Sequence, residues 1–370
     1  MATATKTRGS ATTLKILRTT LLAAVAAASK ACAGNRSPKP ILKNVRIGDG
    51  LVTGTDLELR VDVAIEQQCE AFLVPAERLL QILRSSAGEE VALTAGKTAI
   101  TITLGLGSWT LPTEDVSEFP SWEPADMAAV ARMPVDQFCR AVKSCVYATD
   151  NESSRFALGG VMLEVAEGNP TFVATDGRRL SSVEIETDQA VDDRQLIVPS
   201  RLIVAAAAMA SGDGSVQIEA NASEVRMELD GVTITGRTVD GRYPRWRDVI
   251  GEAEGTPTTL DVQELLKANE AAAIVTSEQS KGLTYSWSAD TLVLSGKSSE
   301  YGESVVSCPV LSAGTFATTK LDPRFVIDFL RHLPSDEEPN VDVYVKDAQS
   351  RVLLRCGPYT GVIMPLSEDT

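Results

Sequence analysis

The sequence predicts an α+β protein made of three similar domains in tandem, each with two helices and antiparallel sheets. Two features support this prediction: a helix that opens on proline, and an aromatic-Pro-x-Trp unit. Both recur at an interval of 124 positions, and three such intervals account for about the whole chain of 370 residues. A fixed period over most of a chain is typical of a repeat architecture.

The proline-started helices are expected at Pro75, Pro199 and Pro323, in the segments VPAERLLQILRSS, VPSRLIVAAAAMA and LDPRFVIDFLRHL. Proline suits the first helical turn, where its missing N–H has no intrahelical acceptor, and apolar residues then follow at helical spacing. The aromatic-Pro-x-Trp unit occurs as EFPSW at Pro120 and as RYPRW at Pro244, and a third copy would fall where the chain ends. The predicted domains are 1–125, 126–252 and 253–370.

An earlier helix is expected in each repeat, over Arg18–Ala31, Pro134–Tyr147 and Asp261–Ile274. Short alternating β-branched segments such as TFVAT, VQIEA and VTITGRTV predict the antiparallel strands. The polar residues 1–12 are expected to be disordered. The Ala-rich stretch TTLLAAVAAASKACAG has the alternative interpretation of a secretory signal peptide, but the repeat requires it as a helix inside the first domain.

Residue types exclude several classes of enzyme. The chain has one histidine and six scattered cysteines without a C-x-x-C pair, which argues against Ser-His-Asp or Cys-His catalysis and against multi-His metal sites. The spacing favours buried free thiols in a reducing compartment. No phosphate-binding loop or G-x-G-x-x-G is present. We expect a non-catalytic cytoplasmic protein with no cofactor and no metal.

Charge is unevenly distributed along the chain. The net charge is −15, yet the first 48 residues contain nine Lys or Arg and no Asp or Glu. This asymmetry indicates one cationic surface on an otherwise acidic body.

The segment VATDGRRL, residues 173–180, indicates a site. Its Thr175-Asp176 pair stands 120 positions after Thr55-Asp56 in the first repeat, where no Gly-Arg-Arg follows. The fold therefore does not require the two arginines, and the second repeat has acquired an additional role.

Five motifs in one order, SRFALGGVMLEV, TFVATDGRRL, IVPSR, DGRYPRWRDVI and GVIMPL, resemble the beta subunit of bacterial DNA polymerase III, the DNA sliding clamp family. The resemblance runs from about Leu14 to Leu366. It implies the DNA clamp fold, with each chain forming half of a closed homodimeric ring around duplex DNA. Such a ring contacts DNA without reading its sequence, tethers the polymerase for processive replication, and catalyses nothing itself.

The resemblance also implies a pocket for short peptides of the polymerase and of clamp-loader subunits, in which Gly177 would let a backbone approach closely, the two arginines would bind peptide oxygens, and Met364 would adapt to differing partners. The pocket residues are Leu158, Thr175, Gly177, Arg178, Arg179, Leu180, Pro244, Val249, Val362, Met364 and Pro365. Interdomain core is the alternative interpretation of the apolar members. Arg178, Asp248, Leu366 and the acidic ending SEDT depart from the family pattern, which leaves peptide preference open.

Two further sets are implied by the resemblance. The residues expected to face DNA are Arg18, Lys30, Arg36, Lys39, Arg140, Lys143, Arg155, Phe156 and Arg201, and ordinary solvated helix faces are the alternative. The residues expected at the dimer interface are Trp109, Ile274 and Val275, with Trp109 equally suited to a core. An enzyme, an exported binding protein and a paralogous clamp with a specialised partner are the competing hypotheses for function.

Overall fold

The computed structural model describes residues 12–34, 37–122, 125–150, 156–185, 193–277, 282–315, 317–334 and 339–366. The described set does not include residues 1–11, Arg36, Arg155 or the side chain of Phe156, so the expectations for them lie outside it. The chain divides into two compact units. The first unit is Met1–Ala129 with Ala208–Arg237, and the second is Val130–Ala207 with Thr238–Thr370.

The α-helices of the described residues are α1 Arg18–Ala28, α2 Ala76–Ser85, α3 Val135–Val146, α4 Ser200–Ala207, α5 Trp246–Ile250, α6 Val262–Ala273 and α7 Pro323–His332. Short 3₁₀ turns cover Ser29–Ala31, Pro40–Lys43, Val116–Glu118 and Phe156–Gly159. The strands are β1 Thr12–Leu17, β2 Asn44–Gly48, β3 Leu51–Thr55, β4 Leu59–Ala64, β5 Phe72–Pro75, β6 Glu90–Ala95, β7 Ala99–Leu104, β8 Gly107–Pro112, β9 Ala128–Pro134, β10 Gly160–Ala166, β11 Asn169–Thr175, β12 Arg179–Glu184, β13 Arg194–Pro199, β14 Ser215–Ala220, β15 Glu224–Leu229, β16 Val232–Arg237, β17 Thr258–Asp261, β18 Leu283–Trp287, β19 Thr291–Ser298, β20 Gly302–Pro309, β21 Thr318–Leu321, β22 Asn340–Tyr344, β23 Val352–Cys356 and β24 Tyr359–Ile363.

The two expected helices per repeat are confirmed as α1 and α2, α3 and α4, and α6 and α7. Helix α1 is shorter than expected, because its last residues tighten into the 3₁₀ turn Ser29–Ala31. Helix α5 has only five residues and was not expected. The prediction of disorder through residue 12 is wrong at Thr12, which opens β1 opposite Ala95.

Local chemistry explains where α7 begins and which face it buries. The Asp322 carboxylate caps the helix by accepting a hydrogen bond from the Arg324 N–H at 3.0 Å, and Pro323 occupies the first turn. Phe325, Phe329 and their apolar neighbours are buried at helical spacing. The last turn carries the cation Arg331, which complements the negative end of the helix dipole.

In the first unit, one antiparallel sheet has the order β1-β6-β7-β8. A second, eight-stranded sheet has the order β5-β2-β3-β4-β16-β15-β14-β9. Pairing of β4 with β16 therefore joins strands of the first and second repeats. Helices α1 and α2 bury Leu21, Val25, Leu79 and Leu83 in one core with side chains of the sheets.

In the second unit, one antiparallel sheet has the order β13-β10-β11-β12-β24-β23-β22-β17, and the other runs β20-β19-β18-β21. Pairing of β12 with β24 joins the second and third repeats, as β4 and β16 join the first and second. Phe138 of α3 packs edge-to-face on Phe172 of β11, with ring centroids 6.2 Å apart. Within the described residues, no helix has the length and apolarity needed to cross a membrane.

Candidate functional site

The site is built around one turn that occurs twice. In the first repeat, Asp56 Oδ1 accepts hydrogen bonds from the N–H groups of Glu58 and Leu59 at 3.1 and 2.9 Å. The Thr55 hydroxyl donates to the Leu59 carbonyl and accepts from the Leu57 N–H. These contacts close the β3–β4 hairpin through a Thr-Asp pair alone.

The second repeat makes the same contacts between β11 and β12. Asp176 Oδ1 accepts from the N–H groups of Arg178 and Arg179, both at 2.9 Å, and the Thr175 hydroxyl bonds to the Arg179 carbonyl and the Gly177 N–H. The first repeat makes the same hydrogen bonds with Glu58 and Leu59 in place of Arg178 and Arg179. The turn therefore does not require the arginines, as the sequence indicates.

Glycine at position 177 has a backbone role in the turn itself. Gly177 has φ +86°, and Leu57 stands at the equivalent position with φ 82°. The glycine therefore relieves left-handed backbone strain. A Cβ at Gly177 would meet nothing within 4 Å of this chain, and the expected approach of a peptide backbone to this open side stays a prediction.

Arg179 is committed to an internal network. Its guanidinium donates to Asp328 Oδ2 at 2.5 Å, to Asp176 Oδ2 at 3.1 Å and to the Tyr147 carbonyl at 2.7 Å. It also lies over the Phe325 ring, 4.7 Å from the centroid. The side chain fastens the turn to the end of α3 and to α7, and its expected contact with a peptide stays a prediction.

Arg178 differs from its neighbour in exposure. Its side chain is exposed, with Cζ 5.5 Å from the Phe325 centroid. Its carbonyl accepts a hydrogen bond from the Met364 N–H at 2.9 Å. This bond places the segment after β24 beside the turn, so Arg178 and Met364 lie at one end of the β12–β24 pair.

The expected apolar residues fall into a buried and an exposed group. Leu180 and Val362 are cross-strand partners and are buried in a cluster with Tyr243. Val249 and Met364 are 38% and 41% exposed. The two buried residues form the base of the surface, and the exposed ones are available to a ligand.

A cavity of about 570 Å³ lies beside this surface. Leu158 and Pro244 line it, together with Ala157 and the segment 240–245. Thr175 is buried by its turn, and Pro365 is half-buried after Met364. The volume falls in the range of known ligand pockets.

The equivalent place in the first unit is polar. By register, Arg60 and Thr235 take the positions of Leu180 and Val362. Arg60 is paired there with Asp62 at 2.6 Å, and Asp62 also accepts a bond from Thr53. The apolar cross-strand pair therefore belongs to the β12–β24 junction and not to the β4–β16 junction.

The basic residues expected to face DNA differ in availability. Lys30, Lys39, Lys143 and Arg201 are exposed. Arg140 is half-buried and paired with Asp136 one helical turn earlier.

Arg18, which is also expected to face DNA, already makes contacts within the chain. Its guanidinium donates to the carbonyls of Leu83 and Gly88 at 3.0 and 2.9 Å. These carbonyls lie in and just beyond the last turn of α2, where helical C=O groups lack partners. The principal role of Arg18 in the structure is to satisfy that helix end.

The expected interface residues occupy different environments. Trp109 is half-buried and packs on the core of the first unit, where its ring excludes a side chain at Gly107. Ile274 is 78% exposed just after α6, and Val275 is half-buried. Trp109 thus contributes to its own core, whereas Ile274 is free to meet another surface.

Sequence reasoning missed three exposed apolar side chains near sheet edges, Leu106, Tyr301 and Val305. Leu106 lies in the turn before β8, and Val305 lies in β20. Strands β8 and β20 each form an outer edge of a four-stranded sheet. The sequence signal that could have revealed them is the adjacent pair Val305 and Val306 in β20. This strand is exposed along most of its length.

The expectation of buried free thiols holds for Cys145, Cys308 and Cys356, whereas Cys32, Cys69 and Cys139 are half-buried. Burial raises the pKa of Cys32 and of Cys145 to about 12, so neither is a nucleophile at neutral pH. Within the described ranges, no three His, Cys, Asp or Glu side chains are grouped as metal ligands.

The duplicated turn, the three helix pairs and the antiparallel sheets define the class of protein: an α+β protein built from a structural unit that is repeated in tandem. Family models described as the N-terminal and central domains of the DNA polymerase III beta subunit match residues 12–123 and 132–245, together more than half of the chain. The chain belongs to the DNA polymerase III beta subunit family.

Curated relatives agree with this assignment. A beta sliding clamp from Chlamydia pneumoniae is 27% identical over 307 residues, covering 80% of this chain and 83% of the relative. That from Escherichia coli strain K12 is 25% identical over 329 residues, covering 86% and 89%.

The fold agrees as well. A sliding clamp from Pseudomonas aeruginosa, solved bound to griselimycin, superposes with a TM-score of 0.90 at 24% identity, covering 97% of this chain and all of that one. A sliding clamp from Bacillus subtilis gives 0.89 at 20% identity, covering 96% and 99%.

Proposed function

We propose that this chain is a DNA sliding clamp: a non-catalytic, cytoplasmic protein that closes as a homodimeric ring around duplex DNA and tethers the replicative polymerase. The observation that carries the proposal is the pair of apolar sheet edges, with Leu106 beside β8 and Val305 in β20. Head-to-tail association of two copies would cover both of these edges, so that neither is left free in a closed ring. Ile274 and Tyr301 extend the apolar area.

Contact with DNA is proposed for the exposed cations Lys30, Lys39, Lys143 and Arg201, and for Arg140. Lysine and arginine bind phosphates without reading bases, and such binding weakens as salt rises because counterions are released. Sequence-independent attraction of this kind suits a protein that must slide. Arg36, Arg155 and Phe156 remain in the proposal from the family resemblance.

Partner binding is proposed at the apolar surface of the β12–β24 junction. Val249, Met364 and Pro244 would take apolar anchors of a peptide beside the cavity at Leu158, and Arg178 would bind peptide oxygens. Burial of one large apolar side chain is worth roughly 1.5–3 kcal/mol. Two or three anchors, less the cost of ordering a peptide, give affinity of about micromolar order, which suits partners that exchange.

The division into domains 1–125, 126–252 and 253–370 is part of the same proposal. The family models support it, since their matches end at residues 123 and 245. The compact units cut the second repeat instead, because β16 pairs with β4 and β12 pairs with β24.

The test uses topology. After loading, the labelled protein should remain on a closed circular duplex and leave when one cut linearises the circle. Equal retention on both forms would refute encirclement. A second measurement is the solution mass, which should be twice the 39.4 kDa of one chain and should fall to the single-chain value for Val305→Asp.

A further inference from the structure

A second cavity lies at the other end of the same strand pair. It has a volume of about 660 Å³, and Gln137, Arg140, Glu184, Arg355, Pro358 and Thr360 are among its lining residues. The register pairs Arg179 with Ile363 at the Met364 end and Val183 with Tyr359 at the cavity end. At about 3.3 Å per residue, the two ends are roughly 13 Å apart. The cavity is therefore a separate place from the surface at Met364.

Two polar groups in this cavity lack partners in the described part of the chain. Gln137 Oε1 is buried and accepts no hydrogen bond there. Arg355 is half-buried with its Cζ 5.7 Å from the Tyr344 centroid, and it makes no ion pair with a described carboxylate. A buried acceptor without a donor costs free energy, and a guanidinium is best satisfied by a planar anion.

The remaining lining restricts the ligand. Val183, Ile185 and Pro358 supply a small apolar wall. Glu184, which accepts a bond from Asn169 at 3.3 Å, adds a negative charge. That charge disfavours a ligand with many negative groups, such as a nucleoside triphosphate, and leaves room for a single carboxylate.

We propose that this cavity binds a short peptide segment carrying a carboxylate, donated by a partner protein. The carboxylate pairs with Arg355, the Gln137 amide turns so that its Oε1 accepts a peptide N–H, and a small aliphatic side chain lies on the wall. The carboxylate and the peptide N–H together supply the two missing partners. The site is separate from the surface at Arg178 and Met364, and its test with free protein does not depend on whether the chain encircles DNA.

The test is fluorescence anisotropy with the full chain and a fluorescein-labelled peptide, Gly-Asp-Val-Glu-Gly amide, which lacks large apolar anchors. The matched probe replaces Asp and Glu by Asn and Gln. The acidic peptide should bind at least about tenfold more tightly, since a hydrogen bond to a charged group is worth about 1.5–3 kcal/mol, and binding should weaken as salt rises.

Variants locate the binding. Arg355→Gln and Gln137→Leu should each weaken binding of the acidic peptide about tenfold or more. Arg237→Gln, which removes the same charge from the exposed last residue of β16, should not. Arg178→Gln should also leave it unchanged. Equal binding of the two probes, or unaltered binding to Arg355→Gln, would overturn the proposal. Loss of binding in Arg178→Gln would overturn it too, because the probe would then occupy the other surface.

Discussion

The two arginines of VATDGRRL should respond in opposite ways to the same substitution. Arg179→Met keeps an unbranched apolar stem against Phe325 but removes the guanidinium that joins the turn to Asp328 and Tyr147. Arg178→Met removes an exposed guanidinium whose only described side-chain contact is the Phe325 ring. The first variant should lose stability, and the second should lose partner affinity.

The magnitude follows from burial. The Arg179 and Asp176 side chains are only 14% and 11% exposed. Leaving one partner of a buried ion pair alone costs about 3–5 kcal/mol. Asp176 keeps two backbone donors, and Asp328 is a third exposed, so the expected loss is reduced to about 2–4 kcal/mol. For Arg178→Met, an exposed cation–π contact is worth about 0.5–1 kcal/mol.

The assay must report on the second unit alone, because a chain of two compact units need not unfold in one step. Hydrogen exchange of the β11 and β12 amides gives that local free energy. A double variant with Asp328→Asn should show a coupling of about 0.5–3 kcal/mol with Arg179→Met. The reasoning fails if the two arginine variants lose equal stability, or if Arg179→Met loses less than about 1 kcal/mol.

Three other outcomes are expected. At pH 8 iodoacetamide should modify half-buried Cys69 well before buried Cys145. Burial raises the pKa of Cys145 from 9.0 to about 12, which lowers the thiolate fraction of Cys145 about a thousandfold. Equal modification rates of the two cysteines in the native protein would contradict this prediction. Asp261→Ala should destabilise the second unit by about 1 kcal/mol in thermal unfolding, because Asp261 Oδ1 caps α6 through two N–H groups; an unchanged midpoint would exclude that role. Lys143→Gln should reduce the slope of log affinity for DNA against log salt by about 0.9, whereas Lys97→Gln, on the β6–β7 hairpin, should leave the slope unchanged.

Local signals predicted the helices and the turn. Pro323 stands in the first turn of α7 as expected, whereas Pro75 and Pro199 end β5 and β13 one residue before α2 and α4. All three mark helix starts because proline restricts the backbone wherever it stands, and Thr-Asp closes a turn through its own side chains. The β12–β24 junction was reached through the family resemblance, since Leu180 and Val362 are far apart in the chain.

What the sequence could not supply was the partner of a long charged side chain. Arg179 meets Asp328, 149 positions away, and Arg18 meets Leu83, 65 positions away. Both arginines are expected to bind ligands, and the sequence does not reveal these internal partners, because a charge on a helix or turn looks the same in sequence whether it binds a neighbour or a partner. Alternation likewise shows which face of a strand is apolar but not which strand lacks a neighbour, so Leu106 and Val305 were missed.

The contrast between the apolar Leu180–Val362 pair and the polar Arg60–Thr235 pair has a consequence for how many partners can bind at one time. If this apolar surface binds partners as proposed, each chain carries one such surface and a dimer carries two. Partners that share the surface must then bind in turn, and the residence time of each sets how soon the next can bind.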